Sequence, residues 1–193
     1  MPLSTPAPRT LSHTRVVTCT GYEREDGLWD IEGRIVDTKS YSFANKDRGG
    51  TIEAGEPLHD MSIRLTIDLD MTIHAAEQCT DASPYNYCHS VEHFCKNLIG
   101  QRIGAGWTRL IRSKMGAGKG CTHITELLLP MATTAFQTLV KAKYKDITSG
   151  AKQQSTPDTP KFIDSCHALQ TDGPVVKEHW PRFYRVEDRK GAD

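Results

Sequence analysis

The chain has no CxxC pair, no net charge, and no apolar run near the roughly 20 residues that a membrane-spanning helix needs. Each absence closes a route. Six cysteines are present, Cys19, Cys79, Cys88, Cys95, Cys121 and Cys166, but their scatter argues against a zinc finger or ribbon. Lys plus Arg and Asp plus Glu both number 24, so no overall field draws the chain to nucleic acid or to an anionic membrane. Arg109, Arg112, Lys114 and Lys119 make a local basic patch, which a solvated helix face explains. The opening Met1-Pro2-Leu3-Ser4-Thr5-Pro6 lacks the charged and apolar regions of a secretory signal. The expected location is the cytoplasm, where thiols stay reduced. Two phosphate motifs fail. In the stretch 113–120, Ser113 replaces the first glycine of a P-loop and Gly120 replaces its Ser/Thr. Gly104-Ala105-Gly106 lacks the third glycine of a dinucleotide fingerprint, and no G-x-S-x-G elbow occurs.

What is present is pattern. With 193 residues the chain can bury a core without staples. Arg15 to Thr20 is β-branched, and Leu28 to Asp37 alternates. Met61 to Ile67 is apolar at every second position, which predicts a strand with one buried face. Asp68-Leu69-Asp70 turns the chain, and Thr72 to Cys79 is the expected hairpin partner. Gly49-Gly50 and Ala54 to Pro57 predict a loop. After Pro84 the period becomes helical: Val91, Phe94, Cys95 and Leu98 share a face, and Gly100 ends that helix. A second helix holds Trp107, Leu110 and Ile111. A third runs from about Thr122 to Tyr144, with Pro130 expected to kink or split it near Leu129. Strands followed by helices predict an α+β fold, an antiparallel sheet with helices packed on one face. The expected organisation is one domain over 14–147, an exposed linker over 148–161 and a tail over 162–193 that docks on the domain.

Several side chains could carry chemistry. Cys121, in Gly120-Cys121-Thr122-His123, sits at a helix entry, where unpaired N–H groups and the helix dipole favour a thiolate. It is either a ligand or nucleophile, or a small buried hydrophobe. Cys88 is similarly placed ahead of a helix. His89-Ser90-Val91-Glu92-His93 matches the inverted zincin pattern H-x-x-E-H, although an exposed polar face explains it as well. His59-Asp60, just before the best strand, joins imidazole to carboxylate; Asp60 alternatively bonds loop amides. Cys166-His167 supplies a late ligand or anchors the tail. Arg24 to Asp30, around Asp26-Gly27, is explained by a hairpin turn.

The set Asp26-Gly27-Leu28-Trp29, His59-Asp60-Met61, Cys88 and Gly120-Cys121-Thr122-His123 resembles a bacterial domain family of unknown function over most of the chain. More distantly, residues 57–140 resemble the NifU/IscU iron–sulfur scaffold family, with an N-terminal strand extension and a C-terminal tail added. Asp60, Cys88 and Cys121 fall at places comparable to the scaffold's ligands. His59 or Leu58 stands near the place of its first cysteine, and Gly120 in place of its histidine, with His123 after the cysteine instead. That resemblance implies a metal site held by His59, Asp60, Cys88 and Cys121, with His123 and Asp60 as acid–base groups. Fewer thiolates and more imidazole point to mononuclear iron or zinc rather than a cluster. The expected function is a metal-dependent lyase, hydrolase or oxidoreductase acting on a small organic substrate. The alternatives are an iron–sulfur cluster or metal carrier, and a metal-free cysteine enzyme. The expected partners are a small-molecule substrate and, as an open alternative, further copies of the chain; nucleic acid and membrane are not expected.

Overall fold

Strand alternation sets the architecture. In β2 (Trp29–Lys39) the positions Trp29, Ile31, Gly33, Ile35 and Asp37 are all buried, and the residues between them are not. β5 (Pro57–Ile67) continues the pattern with Met61, Ile63, Leu65 and Ile67. These two strands form the centre of an antiparallel sheet of order β1-β2-β5-β6, with β1 (His13–Glu23) and β6 (Ile73–Ala82) outside. The computed structural model describes residues 3–116, 118–143, 159–160 and 162–185. The stretch expected to be a loop holds a short hairpin, β3 (Phe43–Asn45) against β4 (Gly50–Ile52). Gly49 and Gly50 take φ of 78° and 114°, backbone that only glycine adopts at low cost, and this lets the two strands meet. β5 starts at Pro57, earlier than the alternation indicates. Its register slips from Asp37↔His59 to Thr38↔Pro57, so Leu58 is the extra residue of a bulge.

The helical layer covers the apolar face of the sheet, giving an α+β fold. Residues Asn86–Leu98 form a 3₁₀ segment rather than the expected α-helix. Its buried residues, Cys95 and Leu98, lie three apart, which matches the 3.0-residue period. α1 (Trp107–Met115) and α2 (Thr122–Lys143) follow. α2 runs through Pro130 without splitting. Proline removes only the bond to the Glu126 carbonyl, and both residues lie on the solvent face, where water replaces it. Ile124, Leu127, Leu128, Met131, Ala135 and Leu139 face the core. No helix among the described residues is long and apolar enough to cross a membrane.

The chain divides into two units, 1–144 and 145–193. In the second, α3 (Pro174–His179) buries Val176, and the rings of Phe162 and Trp180 lie 5.0 Å apart. The expected linker over 148–161 falls outside the described residues except for 159–160, and the tail is described only over 162–185.

α2 lies close on the sheet because two glycines make room. A Cβ on Gly21 would stand 1.8 Å from Thr138 Oγ1, and one on Gly33 would stand 2.5 Å from Met131 Sδ. From Thr138 to His123 the helix rises about 22 Å, and from Gly21 to Arg15 the strand covers about 20 Å. Seating Thr138 on Gly21 therefore sets His123 above the Arg15 end of the sheet. Gly33→Ala should cost about 1–3 kcal/mol, because Met131 is fully buried and must repack. Urea unfolding measures this, and an unchanged midpoint would contradict the close approach.

Candidate metal centre

The register places Arg15 of β1, Asp37 of β2 and His59 of β5 in one row across the sheet. All three project toward the helical layer. Asp37 ends the buried column that begins at Trp29, and a carboxylate at such a position requires partners. It has them. Arg15 Nε donates to Oδ1 and Nη2 to Oδ2, both at 2.8 Å. His13 Nε2 lies 3.1 Å from Oδ1, and His59 Nδ1 lies 3.1 Å from Oδ2. From the first turn of α2, His123 Nε2 approaches Oδ2 at 3.7 Å. The His59 and His123 rings stack with centroids 3.8 Å apart. Asp37 is 1% exposed, whereas Arg15 and His13 are 37% and 35% exposed, so the group opens on the β1 side. There Arg15 Nη1 also donates to Glu126 Oε2 at 2.6 Å.

Electrostatics divides the labour. Burial pushes the Asp37 carboxyl up, but hydrogen bonds and charge from Arg15, with the charges of His59 and His13, outweigh it and hold its pKa at about 2. Burial lowers the pKa of His59, and the neighbouring His123 lowers it further, against the pull of Asp37. Burial and then Arg15 lower the pKa of His123, against Asp37 and Glu126. At neutral pH the group is one carboxylate with two uncharged imidazoles, each with a lone pair to offer. Among the described residues, Asp37, His59 and His123 are the one set of three His, Cys, Asp or Glu ligand atoms found within 4.8 Å of one another.

The expected site residues separate. His59 and His123 come together. Cys121 borders them: it precedes α2, and its Sγ lies 3.7 Å from His123 Nδ1 and 3.4 Å from Met61 Sδ. Standing ahead of the first turn is what lets residues two apart meet. Asp60 goes elsewhere. As the strand neighbour of His59 it projects from the opposite face, where Arg34 Nε and Nη2 donate to it at 2.8 and 2.6 Å. Cys88, in the 3₁₀ segment, is not part of the group. In a 3₁₀ turn residues four apart point about 120° away from each other, so His89 and His93 do not share a face. Both are exposed, and His89 Nδ1 lies 3.3 Å from Glu92. Cys166 is exposed in the second unit. Arg24, Asp26 and Asp30 make the expected turn, closed by Arg24 N donating to the Leu28 carbonyl.

Four residues escaped the motif reading: Asp37, Arg15, His13 and Glu126. Asp37 did leave a signal, because it extends the buried alternation of β2 by one more step with a carboxylate. The other three leave none, since exposed strand and helix positions carry charge as a rule.

No curated protein and no solved structure matches this chain, so the likeness to NifU/IscU proteins gains no support from them. A family model does match, over residues 13–137, a span that holds all of β1 and every residue of the group around Asp37. With well over half its length matched, the chain belongs to the family described as "Protein of unknown function (DUF2889)".

Proposed function

We propose that the protein is a metal-dependent enzyme acting on a small organic substrate, with one iron or zinc ion held by Asp37, His59 and His123. The observation that carries this reading is the convergence of a carboxylate and two imidazoles, brought from β2, β5 and α2, on one point. Their spacing suits an ion. Ligand bonds of about 2.1 Å imply ligand-to-ligand edges of roughly 3.0–3.4 Å. The 3.1 and 3.7 Å separations from Asp37 Oδ2 are close to that without rearrangement. A carboxylate has about four lone-pair directions, so Oδ2 can keep its bond from Arg15 Nη2 on one and offer the other to a metal. Two imidazoles and a carboxylate leave coordination positions open, a pattern used for iron and zinc.

A metal bound there supplies Lewis acidity, to polarise a substrate oxygen or activate water. The protein does the rest. Arg15 keeps Asp37 ionised and oriented. Burial keeps His59 and His123 uncharged. His13 and Arg15, on the open side, are placed to meet a substrate, and His123 also reaches Cys121. The donor set of nitrogen and oxygen speaks against a cluster carrier, which uses thiolates. The metal-free cysteine enzyme keeps one specific support, the 3.7 Å approach of Cys121 to His123.

Elemental analysis of protein purified without chelator separates these readings. The wild type should carry about one equivalent of iron or zinc, and His59→Asn and His123→Asn less than about a tenth. Asp60→Asn and Cys88→Ser should bind like the wild type. A wild type that stays metal-free after incubation with Fe(II) and Zn(II) overturns the proposal. Loss of alkylation at neutral pH in Cys121→Ser would then favour the thiol enzyme.

A further inference from the structure

Among the described residues, the outer edge of β1 has no proline, lysine or bulge to keep it from pairing, and its inward-pointing charge, Arg15, is paired with Asp37. The strand is 11 residues long and pairs with β2 in unbroken register, without a bulge. It contains no proline and no lysine, and its only other charged residue besides Arg15 is Glu23. Arg15 is turned inward onto Asp37. Val16, Val17 and Tyr22 are 52, 45 and 49% exposed. At the other end of the sheet, β6 packs against the 3₁₀ segment, where Cys95 Sγ reaches the Ala76 carbonyl.

We infer that β1 pairs antiparallel with β1 of a second copy about a two-fold axis through Thr18, joining two four-stranded sheets into one. The sequence of the strand is self-complementary in that arrangement. Overlap of the whole strand sets Thr18 against itself, Val17 against the partner's Cys19, Val16 against the partner's Thr20 and Thr14 against the partner's Tyr22. On the helix-facing side Arg15 meets the partner's Gly21, which leaves its guanidinium undisturbed. His13 meets the partner's Glu23. Like charges stay apart in this arrangement, since Arg15 and the partner's Arg15 stand six residues from each other along the seam. Residues on the helix-facing side of one copy meet the same side of the other, so both helical layers lie on one face. About ten main-chain hydrogen bonds would form, and the half-exposed Val17 and Cys19 would be covered. The pairing also brings a carboxylate, the partner's Glu23, to the open side of the group around Asp37. It stands independently of whether that group holds a metal.

Light scattering on the full chain should give twice the 21.5 kDa chain mass. Thr18→Cys should form a covalent dimer on mild oxidation, because opposed residues on antiparallel strands have Cα atoms about 4.5–5.5 Å apart, within disulfide reach. Thr14→Cys, which faces Tyr22, should cross-link no faster than the wild type. Thr18→Arg sets two guanidinium groups face to face on the axis and should give a folded monomer by circular dichroism. A monomeric wild type up to its solubility limit overturns the inference. So does a wild-type dimer that Thr18→Cys fails to trap, or one already trapped through the native Cys19, which would mean a shifted register.

Discussion

Asp37→Asn should lower metal affinity by more than about 100-fold while leaving the fold in place, since removing even an outer partner of a metal ligand costs about 10–100-fold. Asparagine keeps the shape and one acceptor oxygen for Arg15, but loses the charge that Arg15, His13 and His59 surround. Isothermal titration with Zn(II) reads the affinity, and a variant that binds as tightly as the wild type would falsify the assignment of Asp37 as a ligand. The same substitution has a pH signature. The folded carboxyl titrates at about 2, below its ordinary 3.8. Stability from this group is therefore complete above about pH 4 and is lost as pH falls through about 2, on the order of 2 kcal/mol. Asp37→Asn should lack that acid transition. His59 and His123 act in the same direction at higher pH. Their folded values lie below the ordinary 6.5, so the unfolded chain binds protons first and stability declines as pH drops below that range. Metal affinity should likewise hold at pH 6.5 and fall below it, as protons begin to compete for the imidazole lone pairs.

Trp107→Ala should be the most destabilising single change, at about 3–5 kcal/mol in urea unfolding. Trp107 begins α1, is 6% exposed, and belongs to the main core with Ile103, Ile111, Leu127 and Leu128. Its indole Nε1 donates to the Leu128 carbonyl at 2.9 Å. Leu128 lies one turn before the segment of α2 that faces Gly33, so Trp107 ties α1 to α2 close to that approach. Truncation removes the ring and the indole's bond to the Leu128 carbonyl, which keeps only its helical donor, and frees the first turns of α2 that carry His123. Trp107→Phe separates the two effects: keeping most of the apolar mass, it should cost about 0.5–1.5 kcal/mol for the lost bond. A loss under about 1 kcal/mol for Trp107→Ala would show that the indole is not a core anchor.

Much of the fold was legible because strand and helix periods are local. The alternation from Met61 to Ile67 specified a half-buried strand, and the apolar side of α2 followed from Ile124, Leu127, Leu128, Met131 and Ala135. Where the reading departed, the cause lies in partners the sequence does not display. The segment after Pro84 has helical spacing, yet winds as 3₁₀ against β6. Pro130 was expected to kink or split the helix; it does not split it, because its missing bond falls where water can replace it.

The candidate site divides in the same way. The sequence by itself determined that His59, Cys121 and His123 stand at the ends of elements, where side chains are free to converge. It did not separate His59 from Asp60, which read as joint ligands ahead of the strand; because β5 starts at Pro57, the two alternate and lie on opposite faces. Only the tertiary structure decided what His59 meets. That choice depends on strand register, which is set by pairing across 22 residues from Asp37 to His59, and on a bulge at Leu58. It depends equally on how closely α2 can approach over Gly21 and Gly33. Local periodicity fixes which way a side chain points, and long-range pairing fixes how far along the sheet its partner stands. Asp37, the carboxylate at the centre of the group, is found only when both are known.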